Sequence, residues 1–156
     1  MSSCSQLSPT ARLLRVPLVV HWPASVAGGS RTRHISAFQD VMPTLLEIAG
    51  VPAPDDLDGI SFAPTLRSRG EQQEHEALYF EFPSYGGQQA VRAGRWKLVR
   101  RQLLKGEHTL ALYDLAADES EAVDVAARHP RVVERLMEIA DREHRPSEHF
   151  PFPALD

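Results

Sequence analysis

The chain has 156 residues, a formal net charge of −4 at pH 7, 42% hydrophobic residues and 24% charged residues. This composition is close to the globular average and excludes a wholly disordered chain. A mildly acidic protein has no electrostatic reason to bind nucleic acid, and no apolar run reaches the roughly 18–20 residues of a membrane span, so we expect neither as a partner.

Cysteine and histidine give little support to a metal centre. Cys4 is the single cysteine, which excludes an intrachain disulfide and a cysteine-based zinc site. The seven histidines show neither H-E-x-x-H nor H-x-H spacing. We therefore predict that this chain alone holds no metal and no cofactor.

The first 14 residues form an atypical leader. They are rich in serine and lack the basic and apolar regions of a secretory signal. We expect residues 1–14 to be disordered. The chain as it stands would stay in the cytoplasm, and its native compartment is not fixed by these residues.

A strand and a helix are predicted next. The β-branched run at residues 15–22, closed by Pro23, is typical of a buried strand. A helix follows, with Asp40 as its expected N-cap and Gly50 at the left-handed position after its last turn. The predicted apolar face of this helix consists of Val41, Leu45, Ile48 and Ala49.

The pattern changes after a polar stretch at residues 68–76. Four short runs alternate as strands do, and a final helix with an apolar stripe is expected at residues 130–145, with Pro130 in its first turn. Residues 146–156 are expected to form an extended tail. The predicted strands cover residues 77–82, 88–92, 96–101 and 109–115.

The third predicted strand is amphipathic. Its alternation places Trp96 and Leu98 towards the core and Lys97 towards solvent. We interpret the surrounding basic run as a solvated sheet face, with an anion-binding patch as the weaker alternative. The run consists of Arg92, Arg95, Lys97, Arg100, Arg101 and Lys105.

These elements predict an α+β fold in which a four-stranded antiparallel sheet is packed by a C-terminal helix. A lone strand cannot satisfy its own backbone groups, so the preceding strand and helix indicate the remnant of a larger structure. The predicted domains are the leader, the remnant at residues 15–70, a C-terminal subdomain at residues 71–145, and the tail.

Several motifs, in the right order, resemble sulfatases. D-V-M-P-T-L-L-E-I-A-G at residues 40–50 resembles the D-x-x-P-T helix of the family, and L-D-G-I-S at residues 57–61 resembles the turn after it. A-V-R-A-G-R-W-K-L at residues 90–98 resembles the A-[VI]-R-x-G-x-W-K-L hairpin of the family. The resemblance extends from L-Y-D-L at residues 112–115 to the final helix, and it covers about residues 15–145.

The resemblance implies an alkaline-phosphatase-like fold, with the remnant in its α/β core, and the hydrolysis of sulfate esters. Sulfatases use a divalent cation, usually calcium, together with a formylglycine made within a C-x-P-x-R motif. The residues that resemble the family include none of this machinery, and Cys4 lacks the Pro and Arg of the motif. We therefore assign no catalytic residue here and expect calcium only in the intact enzyme.

Candidate functional residues lie in one turn. The sequence Y-G-G-Q-Q at residues 85–89 combines a flexible tip with an aromatic ring and two amides. By the resemblance, Tyr85, Gln88 and Gln89 are candidates for the substrate entrance, although a plain hairpin loop is the favoured alternative. The acidic turn at residues 55–58 is interpreted as solvated rather than cation-binding.

These observations predict the C-terminal fragment of a sulfatase, which supports the substrate pocket and is inactive alone. A sulfate ester would be its partner only in the intact enzyme. Two alternatives are a stand-alone interaction module and a fragment of a related phosphate-ester hydrolase. Because neighbours of the core remnant are missing, self-association through exposed core surfaces is also expected.

Overall fold

The computed structural model describes residues 16–84, 86–105 and 108–156, which divide into two compact units, Val16–His75 and Glu76–Asp156. The leader, including Cys4, lies outside the described residues. The first unit contains helices α1 (Val41–Ala49) and α2 (Ala63–Arg67). The second contains four strands and helix α3 (Pro130–Glu143). The strands are β1 (Leu78–Phe82), β2 (Gln88–Ala93), β3 (Trp96–Arg101) and β4 (Thr109–Asp114).

Helix α1 ends as its sequence predicts. Gly50 has φ of 69°, a conformation that glycine adopts at little cost, and its N–H donates to the carbonyl of Glu47. The start of the helix differs from the prediction, because the Asp40 side chain makes no capping bond to α1. The buried residues of α1 are Pro43 and Thr44, whereas Leu45 of the predicted apolar face is exposed.

The Asp40 carboxylate joins three separated segments of the first unit. It accepts hydrogen bonds from the N–H groups of Ala37 and Ile60, at 2.6 and 2.8 Å, and lies 2.8 Å from Nε2 of His75. Gly59 is required beside it, because a Cβ atom there would overlap the carbonyl group of Gln39. A buried carboxylate is tolerated in this unit because several donors satisfy it.

The predicted strand at residues 15–22 is not formed in its described part, residues 16–22. Val16, Leu18 and Val19 are exposed, with Val19 retaining 88% of its accessible surface. The physical reason is the one that makes a lone strand unstable: no neighbouring strand pairs with its backbone. Apolar side chains of this segment and of α1 therefore remain exposed on the surface of the first unit.

The second unit confirms the predicted meander. Its four strands are antiparallel and lie in the order β1-β2-β3-β4. Gly94, with φ of 54°, occupies the tight turn between β2 and β3. The predicted final helix is also confirmed, with Pro130 in its first turn, where a missing N–H costs nothing.

Helix α3 packs on one face of this sheet. Leu136, Ile139 and Ala140 are buried against a sheet surface that includes Val91 and Leu98. Trp96 packs at the edge of this cluster, and its ring lies 4.8 Å from that of His129. The predicted inward orientation of Trp96 and Leu98 is confirmed. Each large buried aliphatic side chain here contributes roughly 1.5–3 kcal/mol through burial.

The opposite face of the sheet is also covered. Ala90, Val99, Tyr113 and Leu115 form a second buried cluster there. Lys97 lies on this face and is only 1% exposed. Its predicted solvent-facing position was wrong, because strand alternation separates the two faces but does not show that one of them is wet.

The tail has no helix or strand, yet it folds back onto the second unit. Phe152 is 1% exposed and packs next to Gly87, the residue that precedes β2. A short turn follows, in which the N–H groups of Leu155 and Asp156 donate to the Phe152 carbonyl. The tail is therefore anchored by a buried aromatic side chain.

None of the helices in the described ranges is both long enough and apolar enough to cross a membrane.

Candidate functional site

The candidate substrate-entrance residues lie at the turn from β1 to β2. Tyr85 is outside the described residues. Gln88 and Gln89 open β2, and because strand side chains alternate, they project to opposite faces of the sheet. Gln88 is half-buried, and its Oε1 has no hydrogen-bond partner among the described residues. The structure thus separates the two amides, and their role at an entrance stays a prediction.

Gln89 belongs to a row of polar side chains on the helix-covered face. It is 2% exposed, accepts from Nη1 of Arg100 at 2.9 Å, and donates to the Tyr79 hydroxyl at 2.8 Å. The Tyr79 hydroxyl donates in turn to Oε1 of Glu81. Both the oxygen and the nitrogen of the Gln89 amide have a partner, so the buried amide is held in one orientation.

Tyr79 acts in this row as a neutral donor. Burial raises its pKa well above the ordinary value, and the hydrogen bond to Glu81 raises it further. The phenol therefore keeps its proton at every physiological pH. Its role is to orient Glu81, and the structure does not prepare it for proton transfer.

The row ends at His144, the residue after helix α3. Nδ1 of His144 lies 2.7 Å from Oε1 of Glu81, and Nε2 lies 3.1 Å from Oδ1 of Asp156. The other carboxylate oxygen of Asp156 accepts the Phe152 N–H at 2.8 Å. Sequence reasoning missed this histidine, because its two partners are 63 residues upstream and 12 residues downstream.

The second charged site is an ion pair on the opposite face. Nζ of Lys97 donates to both carboxylate oxygens of Glu121 at 2.7 Å, and both side chains are 1% exposed. Burial lowers the pKa of Lys97, while the hydrogen bonds and charge of Glu121 oppose that shift. Arg92 and Arg101 lie close enough to lower it further. The pair is therefore a desolvated charge site within a basic environment.

A tight loop positions Glu121 for this pair. Glu121 has φ of 56°, and the Asp118 carboxylate accepts from the Ser120, Ala122 and Val123 N–H groups. The Ser120 hydroxyl and these amides hold the pKa of Asp118 below its ordinary value. Lys97 and Glu121 each lie in a segment that resembles the family, and this was the sequence signal available for the pair. A separation of 24 residues does not by itself predict contact.

The residues present do not fit a metal centre. Across residues 16–84, 86–105 and 108–156, no three His, Cys, Asp or Glu side chains are grouped to hold an ion. An open cleft of about 530 Å³ in the first unit is lined by Arg67, Arg69 and Glu47, among others. A smaller cleft in the second unit is lined by Trp96, Arg95 and Arg135, among others. Neither cleft is lined by Gln88 or Gln89.

Comparison with known proteins identifies the family. The family model described as N-sulphoglucosamine sulphohydrolase, C-terminal, matches residues 11–145. The chain is 28% identical over 141 residues to the N-acetylglucosamine-6-O-sulfatase of Bacteroides thetaiotaomicron, covering 84% of this chain and 25% of that protein. It is 36% identical over 89 residues to arylsulfatase A of Homo sapiens, covering 54% of this chain and 17% of that protein.

A solved structure supports the same assignment. BT4656, in complex with its substrate D-glucosamine-2-N,6-O-disulfate, matches with a TM-score of 0.69 and 26% identity. The match covers 82% of this chain and 28% of that chain. The chain thus spans about a quarter of the length of the first of these relatives. The predicted α+β architecture is confirmed as the C-terminal part of an alkaline-phosphatase-like fold. The chain belongs to the sulfatase family, whose C-terminal region it matches.

Proposed function

We propose that this chain supplies the C-terminal part of a sulfatase, where it supports and shapes the substrate pocket, and that it does not hydrolyse sulfate esters alone. The extent of the family match carries this proposal, since residues 11–145 match a C-terminal model. The chemistry of the described residues adds support, because the buried charged groups of Asp40, Lys97 and Glu121 are satisfied by contacts within the chain. In the intact enzyme, other residues would break the sulfate ester bond.

We expect calcium to bind only in the intact enzyme. A calcium site needs six to eight oxygen ligands, and no three His, Cys, Asp or Glu side chains within the described ranges are placed so that they could hold a metal ion. The acidic turn at residues 55–58 does not form such a cluster. We therefore place the cation on other residues of the assembled enzyme and route no step through it here.

A sulfated amino sugar is the first substrate to test. One relative is an N-acetylglucosamine-6-O-sulfatase, and BT4656 was solved with a glucosamine disulfate. Gln88 could contribute to recognition of such a ligand, because its Oε1 lacks a hydrogen-bond partner among the described residues. An amide oxygen that is buried without a partner is costly unless something else satisfies it.

The first experiment is an assay of the purified chain on 4-nitrophenyl sulfate, with and without calcium. We expect no hydrolysis above the buffer rate. Parallel assays with 4-nitrophenyl phosphate show whether the chain alone hydrolyses a phosphate ester. Turnover that disappears in the Cys4→Ala variant would contradict the proposal, because the chain would then carry its own nucleophile precursor.

The second experiment tests the supporting role directly. Residues 15–156 would replace the matching C-terminal part of the Bacteroides N-acetylglucosamine-6-O-sulfatase. We expect the chimera to hydrolyse its sulfated sugar, and Gln88→Ala to raise KM while kcat changes little. Thr109→Ala is the matched control, because Thr109 lies on the same sheet face two strands away and is exposed. A folded but inactive chimera would contradict the proposal.

A further inference from the structure

We propose that the C-terminal tail is a pH-sensitive clasp, which closes on the sheet when His144 is protonated. The clasp consists of His144 and residues 146–156, and it is independent of the proposed role in a sulfatase. It makes one polar contact and one apolar contact with the sheet and the turn before β2. The polar contact joins His144 to Glu81 and Asp156, and the apolar contact seats Phe152 beside Gly87.

The polar contact requires a charged imidazole. Both ring nitrogens of His144 lie within hydrogen-bonding distance of carboxylate oxygens, at 2.7 and 3.1 Å. An ionised carboxylate only accepts hydrogen bonds, and a neutral imidazole has one donor and one acceptor. Two donated bonds are therefore available only to the imidazolium. In the neutral form, one lone pair of the ring would face a carboxylate.

Two carboxylates face the His144 ring, one from β1 and one from the tail. Glu81 also accepts from the neutral Tyr79 hydroxyl on β1, and Asp156 is the acidic group facing the ring from the tail. His144 follows the C-terminus of α3, where the helix dipole favours a cation. The side chain lies at the half-buried margin of the sheet, so these effects are only partly screened.

Neighbouring cations are engaged elsewhere. Arg100 on β3 donates to the Gln89 amide oxygen. Arg142 of α3 pairs with Glu143 and Glu76, and Arg145 donates to the carbonyls of Arg142 and His144. In the tail, Glu148 and His149 are exposed. His144, rather than His149, therefore links the tail to the sheet.

The apolar contact makes the closed tail specific. Phe152 is almost fully buried, and its ring lies so close to Gly87 that a Cβ atom there would be 2.9 Å from Cε2. The Phe152 N–H donates to Asp156, the residue that contacts His144. Seating of the ring and protonation of His144 are thus coupled through one carboxylate. Loss of the imidazole proton should weaken both contacts together.

The test is nuclear magnetic resonance of the intact chain over a pH series. Nitrogen spectra of the His144 ring report its protonation, and hydrogen exchange of the Phe152, Leu155 and Asp156 amides reports the tail. We expect protection factors of these amides to fall at least about tenfold as His144 deprotonates, because a charge-assisted hydrogen bond is lost. Amides of Val91, Leu98 and Leu112 should keep their protection throughout and report an intact sheet.

Two variants complete the test. His144→Gln cannot become charged, so its tail should show low protection that does not follow pH. His149→Gln is the matched control, because His149 is an exposed histidine of the same tail, and its profile should match that of the unaltered chain. Tail protection that is equal on both sides of the His144 titration would overturn the proposal. A protected tail beside a neutral His144 ring would do the same, even if His144→Gln failed to fold.

Discussion

Lys97 and Glu121 form a buried ion pair, and the loss of either partner leaves an uncompensated charge. We predict that Lys97→Ala lowers the free energy of unfolding by about 3–5 kcal/mol, the range for breaking a buried pair. Urea denaturation followed by circular dichroism measures this change. The double variant Lys97→Met with Glu121→Leu should recover most of the stability, because apolar side chains of similar volume replace both charges.

The comparison with an exposed lysine makes this prediction specific. Lys105→Ala should change the stability by less than about 0.5 kcal/mol, since Lys105 lies on the surface. An equally small effect of Lys97→Ala would contradict the buried pair. The pair could not be predicted from strand alternation, because Glu121 reaches Lys97 from a loop 24 residues away.

Asp118 should make the second unit acid-sensitive. The hydrogen bonds it accepts lower its pKa in the folded state, so the unfolded chain binds more protons as the pH falls towards and below the ordinary value near 4. The stabilisation is therefore present above that value and is lost as the pH falls through the folded pKa. We predict that Asp118→Asn loses less stability than the unaltered chain between pH 5 and pH 2, roughly the window in which such carboxyls titrate.

Urea midpoints at a series of pH values measure this difference. Asp141→Asn is the control, because Asp141 is an exposed carboxylate on helix α3. An acid dependence of Asp118→Asn that parallels the unaltered chain would show that its folded-state hydrogen bonds do not persist in solution.

At the scale of elements, the contact of Gly87 with the tail can be tested against another glycine. Gly87 and Gly94 both have positive φ, of 79° and 54°. An added Cβ would lie 2.9 Å from Phe152 and Leu104 at Gly87, but would meet nothing within 4 Å at Gly94. Both alanine variants carry backbone strain, so we predict that Gly87→Ala costs about 1–3 kcal/mol more, as overpacking does.

Thermal or urea unfolding measures the two costs. Adding Phe152→Ala to Gly87→Ala should make the combined cost smaller than the sum of the single costs, because the smaller side chain leaves room for the new methyl group. Equal costs of Gly87→Ala and Gly94→Ala would show that the tail does not pack at Gly87 in solution.

The elements of the second unit were predictable because local patterns specify them. Alternation predicted four strands, and the apolar stripe at helical spacing predicted α3, both of which pack against partners within the chain. The run at residues 16–22 has an equally clear pattern but forms no strand in the described structure, since pairing requires a neighbour. The Asp40, His144 and Lys97 contacts depend on distant segments and were not predictable from spacing.

At the scale of the whole molecule, the two units should differ in their resistance to local opening. We predict fast hydrogen exchange across residues 16–50 and slow exchange in the sheet and in α3, because the first region exposes much of its apolar surface. Mass spectrometry of peptides from a soluble monomer measures this contrast. Uniformly slow exchange would favour the alternative of a self-sufficient interaction module.

Exposed apolar side chains also bear on association. Val19 and Phe38 of the first unit retain 88% and 91% of their accessible surface. We propose that copies of the chain associate through this surface, and we predict that Val19→Lys with Phe38→Ser lowers the sedimentation coefficient at high concentration. Val123→Ser, which alters an exposed residue of the second unit, is the control. A concentration-independent monomer before substitution would contradict the prediction.

The burial of Lys97 has a practical consequence for chemical labelling. Lys97 and Lys105 are the only two lysines of the 156-residue sequence. Amine-reactive reagents modify a lysine side chain only where solvent reaches it, so the folded chain should accept one side-chain adduct, at Lys105, and the unfolded chain two. Once any adduct at the amino terminus is subtracted, the mass of a labelled molecule would therefore show whether it was folded or unfolded during labelling. With the amino terminus blocked, immobilisation through amines would likewise orient every folded copy by the same point on the β3–β4 connection.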